Sequence, residues 1–81
     1  MRETLYDDQQ VAIYRDGGRF WIRYDAGSHQ VVLREDEISA AEAHQAMTGT
    51  DALMRVLFEL QKRLEVAGIN PYVTNVEPRS D

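Results

Sequence analysis

Hydrophobic and polar residues alternate along the first half of the chain and recur at helical spacing along the second half. Residues 10–16 and 19–25 are rich in β-branched and aromatic side chains, and Gly17-Gly18 separates them. A Gly-Gly pair between two alternating stretches predicts a hairpin with a type I′ turn, because that turn requires positive φ at both central positions. The first two strands of the domain are therefore predicted to be antiparallel neighbours.

Residues 30–35 predict a third strand, which completes a three-stranded antiparallel meander. Side chains alternate between the two faces of a strand, so the hairpin register sorts them into two sets. The set predicted to face the core is Val11, Ile13, Phe20, Ile22, Tyr24, Val31 and Leu33. The set predicted to face away from it is Ala12, Tyr14, Trp21, Arg23, Val32 and Arg34.

Two helices are predicted to follow, over residues 40–48 and 51–67. Ser39 and Glu42 have the spacing of a capping box at the start of the first helix. Gly68 has the position of the left-handed residue that ends the second helix in a Schellman motif. The second helix carries an apolar seam with heptad spacing, formed by Leu53, Leu57, Leu60, Leu64 and Ala67, and Val56 widens this seam.

The remaining segments complete the predicted domain organisation. Residues 1–9 are polar without clear periodicity and are predicted to form a flexible arm, and residues 77–81 a frayed tail. Residues 72–76 are β-prone and could add a fourth strand to the sheet or lie on a partner chain. The expected fold is a single α+β domain over residues 10–76, with the helical hairpin packed on one face of the sheet.

Composition narrows the classes of function without selecting one. The chain has 81 residues, no cysteine and a formal net charge of −5. Disulfides and thiolate metal sites are excluded, and an acidic chain repels nucleic acid at long range. No apolar stretch approaches the ~20 residues of a membrane-spanning helix, so we expect a cytoplasmic protein that does not bind membranes.

One face of the predicted sheet remains uncovered, because a single helical hairpin can cover only the other. Tyr14, Trp21, Arg23, Val32 and Arg34 are placed on this uncovered face. Tryptophan, tyrosine and arginine are enriched where proteins bind one another, so these five residues are predicted to form a partner-binding surface. A cross-strand Tyr–Trp pair that merely stabilises the sheet is the alternative interpretation.

The longer helix also carries apolar residues outside its leucine seam. Met54 and Phe58 are four residues apart and lie beside the leucine seam, not within it. They either widen the core of a small domain or face a partner, most simply in a symmetric homodimer. We predict the dimer interface, because an 81-residue core gains stability from association.

The sequence contains no set of reactive residues with the spacing of a known catalytic site, so we predict a protein without enzymatic activity. His29 and His44 are the only histidines, and neither has the spaced partners of a catalytic triad or a metal site. We expect no catalytic residue, no cofactor and no metal. Binding of nucleic acid by the aromatic and arginine face is the alternative class, as is an acidic inhibitor that mimics DNA.

Residues 33–43, which join the last predicted strand to the first helix, resemble joints in short, acidic, arginine-rich proteins of actinobacteria and their phages. The resemblance identifies no particular family and transfers no functional residue. It implies a bacterial or phage accessory protein that binds a host protein, in the host cytoplasm if a phage encodes it. The predicted function is thus a small protein-interaction module, with a protein partner of unspecified identity or a second copy of the chain.

Overall fold

Four antiparallel strands form one sheet in the computed structural model, which describes residues 2–8, 11–27 and 31–76. Two helices follow the strands, and the strands lie in the sheet in chain order. The α+β class is confirmed, but the three-strand description is wrong by one strand. The elements are β1 (Glu3–Asp8), β2 (Val11–Asp16), β3 (Arg19–Asp25), β4 (Leu33–Ile38), α1 (Ala40–Ala46) and α2 (Thr50–Val66).

The hairpin of β2 and β3 has the predicted turn and the predicted register. Gly17 and Gly18 have φ angles of 59° and 86°, which only glycine adopts without strain. Ile13 lies opposite Ile22 on the face that the helices cover. The next pair in the register, Tyr14 and Trp21, consequently lies on the other face.

The first strand, β1, replaces the flexible arm that was predicted for residues 1–9. It pairs antiparallel with β2, and a bulge between Thr4 and Tyr6 inserts Leu5 as an extra residue. Leu5 and Tyr6 are adjacent in sequence, yet both pack against the core. The bulge breaks the alternation of side chains, which is why the hydrophobic pattern did not reveal this strand.

The register of β4 differs from the one that the sequence predicted. Tyr24 lies opposite Arg34, and Ile22 lies opposite Asp36. The inner face of β4 therefore carries Arg34, Asp36 and Ile38, whereas Leu33 lies on the outer face, and the strand ends three residues later than predicted. Val31 is 68% exposed and precedes the strand, so the placement of Val31 and Leu33 in the core is wrong.

The helices cover the inner face of the sheet, as predicted. At the start of α1, the backbone N–H of Glu42 donates to Ser39 Oγ, and the backbone N–H of Ser39 donates to Glu42 Oε1. This capping box confirms the predicted start of the helix. The core consists of Ile13, Ile22, Tyr24, Ile38, Ala43, Ala46, Leu53, Val56, Leu60 and Leu64.

Helix α2 contributes four buried side chains from the predicted seam and ends as predicted. Gly68 has a φ angle of 81°, and the backbone N–H of Ile69 donates to the carbonyl oxygen of Leu64 at 2.9 Å. This bond is the 6→1 bond of a Schellman motif. Within the described ranges, neither helix combines the length and the apolar character needed to cross a bilayer.

The segment after α2 lies along the free edge of β4 but does not form the fourth strand considered for residues 72–76. The side-chain amide of Asn75 accepts from the backbone N–H of Glu35 and donates to its carbonyl oxygen, both at 2.8 Å. Thr74 Oγ1 donates to the carbonyl oxygen of Leu33 at 2.5 Å. Side chains thus replace the backbone of a neighbouring strand and protect this edge of the sheet.

Candidate functional site

The outer face of the sheet is the face on which the described residues place no helix. Its side chains lie in two rows that cross the four strands. One row runs through Thr4, Tyr14, Trp21 and Glu37. The neighbouring row runs through Asp7, Ala12, Arg23 and Glu35.

An arginine covers the indole ring of Trp21. The guanidinium carbon of Arg19 lies 4.9 Å from the ring centroid, within the range of a cation–π interaction. The same guanidinium donates two hydrogen bonds to the carboxylate of Glu37, at 2.7 and 2.9 Å. These hydrogen bonds hold the pKa of Glu37 below its ordinary value.

The phenol ring of Tyr14 is covered in the same way from the start of the chain. The guanidinium carbon of Arg2 lies 4.6 Å from its centroid, and the guanidinium donates two hydrogen bonds of 2.9 Å to Glu35 on β4. Both aromatic rings of the outer face therefore carry a cation that a glutamate already neutralises. The ring faces available to a ligand are correspondingly reduced.

Arg23 differs from the other arginines of this face. It is half-buried, and within the described part of the chain its side chain makes neither an ion pair nor a hydrogen bond. It lines an open groove of about 300 Å³, here called the sheet groove. The lining residues are Asp7, Val11, Ala12, Tyr14, Arg23, Val31 and Leu33.

Arg34 does not belong to the outer face, so its prediction as an exposed partner-binding residue is wrong. It is only 3% exposed and donates two hydrogen bonds to Asp36, at 2.9 and 3.1 Å. Its remaining nitrogen donates to the carbonyl oxygens of Asn70 and Val73. The guanidinium thus ties β4 to the segment that follows α2.

Tyr24 completes this buried cluster by donating its hydroxyl hydrogen to Asp36 Oδ2 at 2.9 Å. Burial, reinforced by the hydrogen bond to the carboxylate, raises the pKa of Tyr24 to about 12. Every buried side-chain nitrogen or oxygen atom of the described residues has a hydrogen-bond partner. The cluster is consequently a satisfied structural network with no polar atom directed at a ligand.

Met54 and Phe58 form an exposed strip on α2, here called the helix strip. Met54 is 60% exposed and Phe58 56% exposed, so neither contributes to the buried core. The interpretation in which they widen the core is therefore excluded. Lys62 Nζ lies 4.4 Å from the centroid of the Phe58 ring and covers one of its faces.

The structure brings together three of the five residues predicted for the partner-binding surface. Tyr14, Trp21 and Arg23 share the outer face. Val32 instead lies in the connection before β4, where its backbone N–H donates to the Asp25 carboxylate at 2.9 Å. The sequence did not predict the contribution of β1, because a bulge interrupts its alternation of polar and apolar residues. It did not predict the contribution of Leu33, because alternation within one strand does not determine how β4 pairs with β3.

Metal binding finds no support among the described residues, which contain no group of three histidine, aspartate or glutamate side chains placed to hold an ion. His44 is exposed on α1, with its ring centroid 6.3 Å from that of Phe20. His29 lies outside the described residues.

Comparison with protein-family models finds no family that matches the chain, and searches of characterised proteins and of solved structures find no significant match either. The functional interpretation consequently depends on the residues and geometry of the chain itself.

Proposed function

We propose that the chain is a small, non-enzymatic protein-interaction module that binds a partner protein with the outer face of its sheet. The observation that carries the proposal is Arg23, an arginine without a partner in an apolar groove on a face where the neighbouring arginines are paired. A half-buried cation that makes no ion pair within the monomer is stabilised when a partner supplies an acidic group. Arginine in a partly desolvated pocket is also a typical centre of a protein interface.

The apolar residues around Arg23 support the same function. Leu33 is 37% exposed and Val31 68% exposed, and both line the sheet groove. Burial of such side chains contributes roughly 25 cal/mol for each Å² removed from water. The apolar residues of the groove supply affinity for a partner, and its charged residues Asp7 and Arg23 supply orientation.

The helix strip is proposed as a second contact surface, separate from the outer face of the sheet. Met54 and Phe58 expose more than half of their surface beside the buried seam of α2. Methionine adapts its shape to different partners, and phenylalanine buries a large area. The resemblance of residues 33–43 supports a bacterial or phage accessory role for the module, in the cytoplasm of the cell where it acts.

Nucleic-acid binding by the outer face has weaker support. Arg2 and Arg19 occupy the ring faces on which bases would stack, and two glutamates neutralise their charge. Phosphate binding requires unpaired positive charge, and of these three arginines only Arg23 supplies it.

Mimicry of DNA has weaker support for a related reason. Glu35, Glu37 and Glu42 are each paired with an arginine, and Asp36 is buried. The acids around β4 therefore do not form the row of unpaired negative charges that mimicry requires.

Site-specific photo-cross-linking in cells that produce the chain tests the proposal. A photoreactive phenylalanine analogue at Leu33 should form covalent adducts with a protein, and Arg23→Ala should abolish those adducts. The same analogue at Gln45, an exposed position of α1, is the control and should form none. Absence of adducts at residue 33, or adducts that persist in Arg23→Ala, would overturn the proposal.

A further inference from the structure

We propose that the sheet groove is occupied by a second copy of the chain, bound face to face about a two-fold axis. This proposal rests on the proposed function, because it names the partner of the same surface. It starts from the row Asp7–Ala12–Arg23, in which the three residues lie directly opposite one another on β1, β2 and β3. All three line the sheet groove.

Asp7 and Arg23 have opposite charges and flank the buried Ala12, and Glu35, the next residue across the sheet, is already paired with Arg2. Adjacent strands are ~4.8 Å apart, so the Cα atoms of Asp7 and Arg23 are separated by ~10 Å. Within the described ranges, neither side chain forms an ion pair or a hydrogen bond. Each charge is consequently available to a group outside the monomer.

Two-fold symmetry makes this row complementary to itself. Rotation by 180° about an axis that runs parallel to the strands and above Ala12 exchanges the two ends of the row. Asp7 of each copy then lies over Arg23 of the other, and the two Ala12 residues meet at the axis. Such reciprocal contacts define an isologous interface. The strands of the two sheets stay aligned, as they do in sheets that pack face to face.

The small side chain of Ala12 leaves room for charged side chains above the row. Ala12 is 7% exposed and lines the groove between Asp7 and Arg23. A larger residue at this position would occupy the space in which Asp7 and Arg23 extend toward the opposite copy. The two ion pairs would form at the sides of the contact, where each charged side chain extends toward the opposite copy.

The size of the face sets the expected strength of the dimer. Four strands of about six residues have a flat footprint of roughly 400 Å², which is below the ~800 Å² per partner of a standard interface. The net charge of −5 on each copy adds long-range repulsion. We therefore expect a weak dimer, observed at high micromolar concentration and dissociated on dilution.

Charge reversal at both ends of the row provides the test, with sedimentation equilibrium as the readout. The native chain should form a dimer as its concentration rises. Asp7→Arg and Arg23→Asp should each weaken self-association at least about tenfold, because each sets like charges opposite one another. An equimolar mixture of the two variants should recover the dimer, since both ion pairs are restored between unlike copies.

The controls separate the alternatives. Glu59→Arg, the same reversal of charge at an exposed position of α2, should leave the dimer unchanged, and circular dichroism should show that both charge variants are folded. A native chain that is monomeric at every concentration, or folded variants whose mixture does not associate, would overturn the inference. A dimer lost only in Phe58→Ser would overturn it and assign the interface to the helix strip. If the cross-link at residue 33 reaches a different protein and the native chain is monomeric, the proposed function stands and this inference fails.

Discussion

Arg34 binds Asp36 through two hydrogen bonds on the buried side of β4, from Nη2 to Oδ1 at 2.9 Å and from Nε to Oδ2 at 3.1 Å. The two residues are only 3% and 9% exposed. Opposite charges in a protein interior are tolerated when each satisfies the other and the remaining polar atoms find partners. Hydrogen bonds to Tyr24 and to the carbonyl oxygens of Asn70 and Val73 tie this pair to β3 and to the segment after α2, and these bonds favour the observed register of β4.

Asp36→Ala should destabilise the fold by about 3–5 kcal/mol, since it leaves the guanidinium of Arg34 buried and unpaired. Urea unfolding monitored by circular dichroism measures the loss. Glu37→Ala is the matched control, because it breaks the exposed ion pair with Arg19 and should cost far less than Asp36→Ala. Equal losses in the two variants would show that the Asp36 pair does not support the fold.

Tyr24 should make the fold sensitive to alkaline pH. Its pKa is raised from the ordinary value of 10.0 to about 12, so the neutral phenol is favoured in the folded chain. Its contribution to the free energy of unfolding is complete below pH 10 and is lost as the pH rises to about 12. In urea titrations across this interval, Tyr24→Phe should show a shallower decline than the native chain. Parallel declines would contradict the assignment.

Asp25 should make the fold sensitive to acid. Its carboxylate accepts the backbone N–H groups of Val32 and Gly27, which lower its pKa below the ordinary value of 3.8. The resulting stability is present above pH 3.8 and is lost as the pH falls through the lower pKa of the folded chain. Asp25→Asn keeps an acceptor oxygen but removes the charge, so its thermal midpoint should be lower at pH 7 and should depend less on pH below 3.8. An unchanged acid profile would contradict this role.

Asn75→Ala should open the outer edge of β4. The backbone N–H of Glu35 donates to Asn75 Oδ1, so this amide should be protected from hydrogen exchange in the native chain. The substitution should increase its exchange rate, measured by NMR, while the amide of Ile22 in the sheet interior stays protected. Thr74→Val removes the hydrogen bonds of Thr74 Oγ1 to the Leu33 carbonyl and to Val76, none of which involves Glu35, and should leave the Glu35 amide protected. Slow exchange of Glu35 in Asn75→Ala would show that another group covers this edge.

The parts of the fold that local chemistry determines could be predicted from the sequence. Gly17 and Gly18 specify the hairpin because the turn requires positive φ, and this turn sets the register of β2 and β3. Ser39 and Glu42 specify the start of α1 through reciprocal hydrogen bonds between neighbours in sequence. In both cases the deciding interactions lie within a few residues.

The features that the sequence did not reveal depend on distant residues. Arg34 is two residues from Asp36, but the groups that make its burial tolerable include Tyr24 and the carbonyl oxygens of Asn70 and Val73. An alternation rule treats an arginine as exposed, so it placed Leu33 in the core instead. The hairpin register predicted the positions of Tyr14, Trp21 and Arg23 on the outer face. The contributions of Asp7 on β1 and Leu33 on β4 were missed, because they depend on strands whose pairing the sequence did not reveal.

Trp21 offers the most direct measurement of the central claim, which is that the chain associates through the outer face of its sheet. It is the only tryptophan of the chain, so its fluorescence reports on that face alone. Acrylamide quenching of Trp21 should decrease as the chain concentration rises from low micromolar to submillimolar, and it should stay constant in Arg23→Asp. Quenching that does not change with concentration in the native chain, or that decreases equally in Arg23→Asp, would contradict self-association through the outer face.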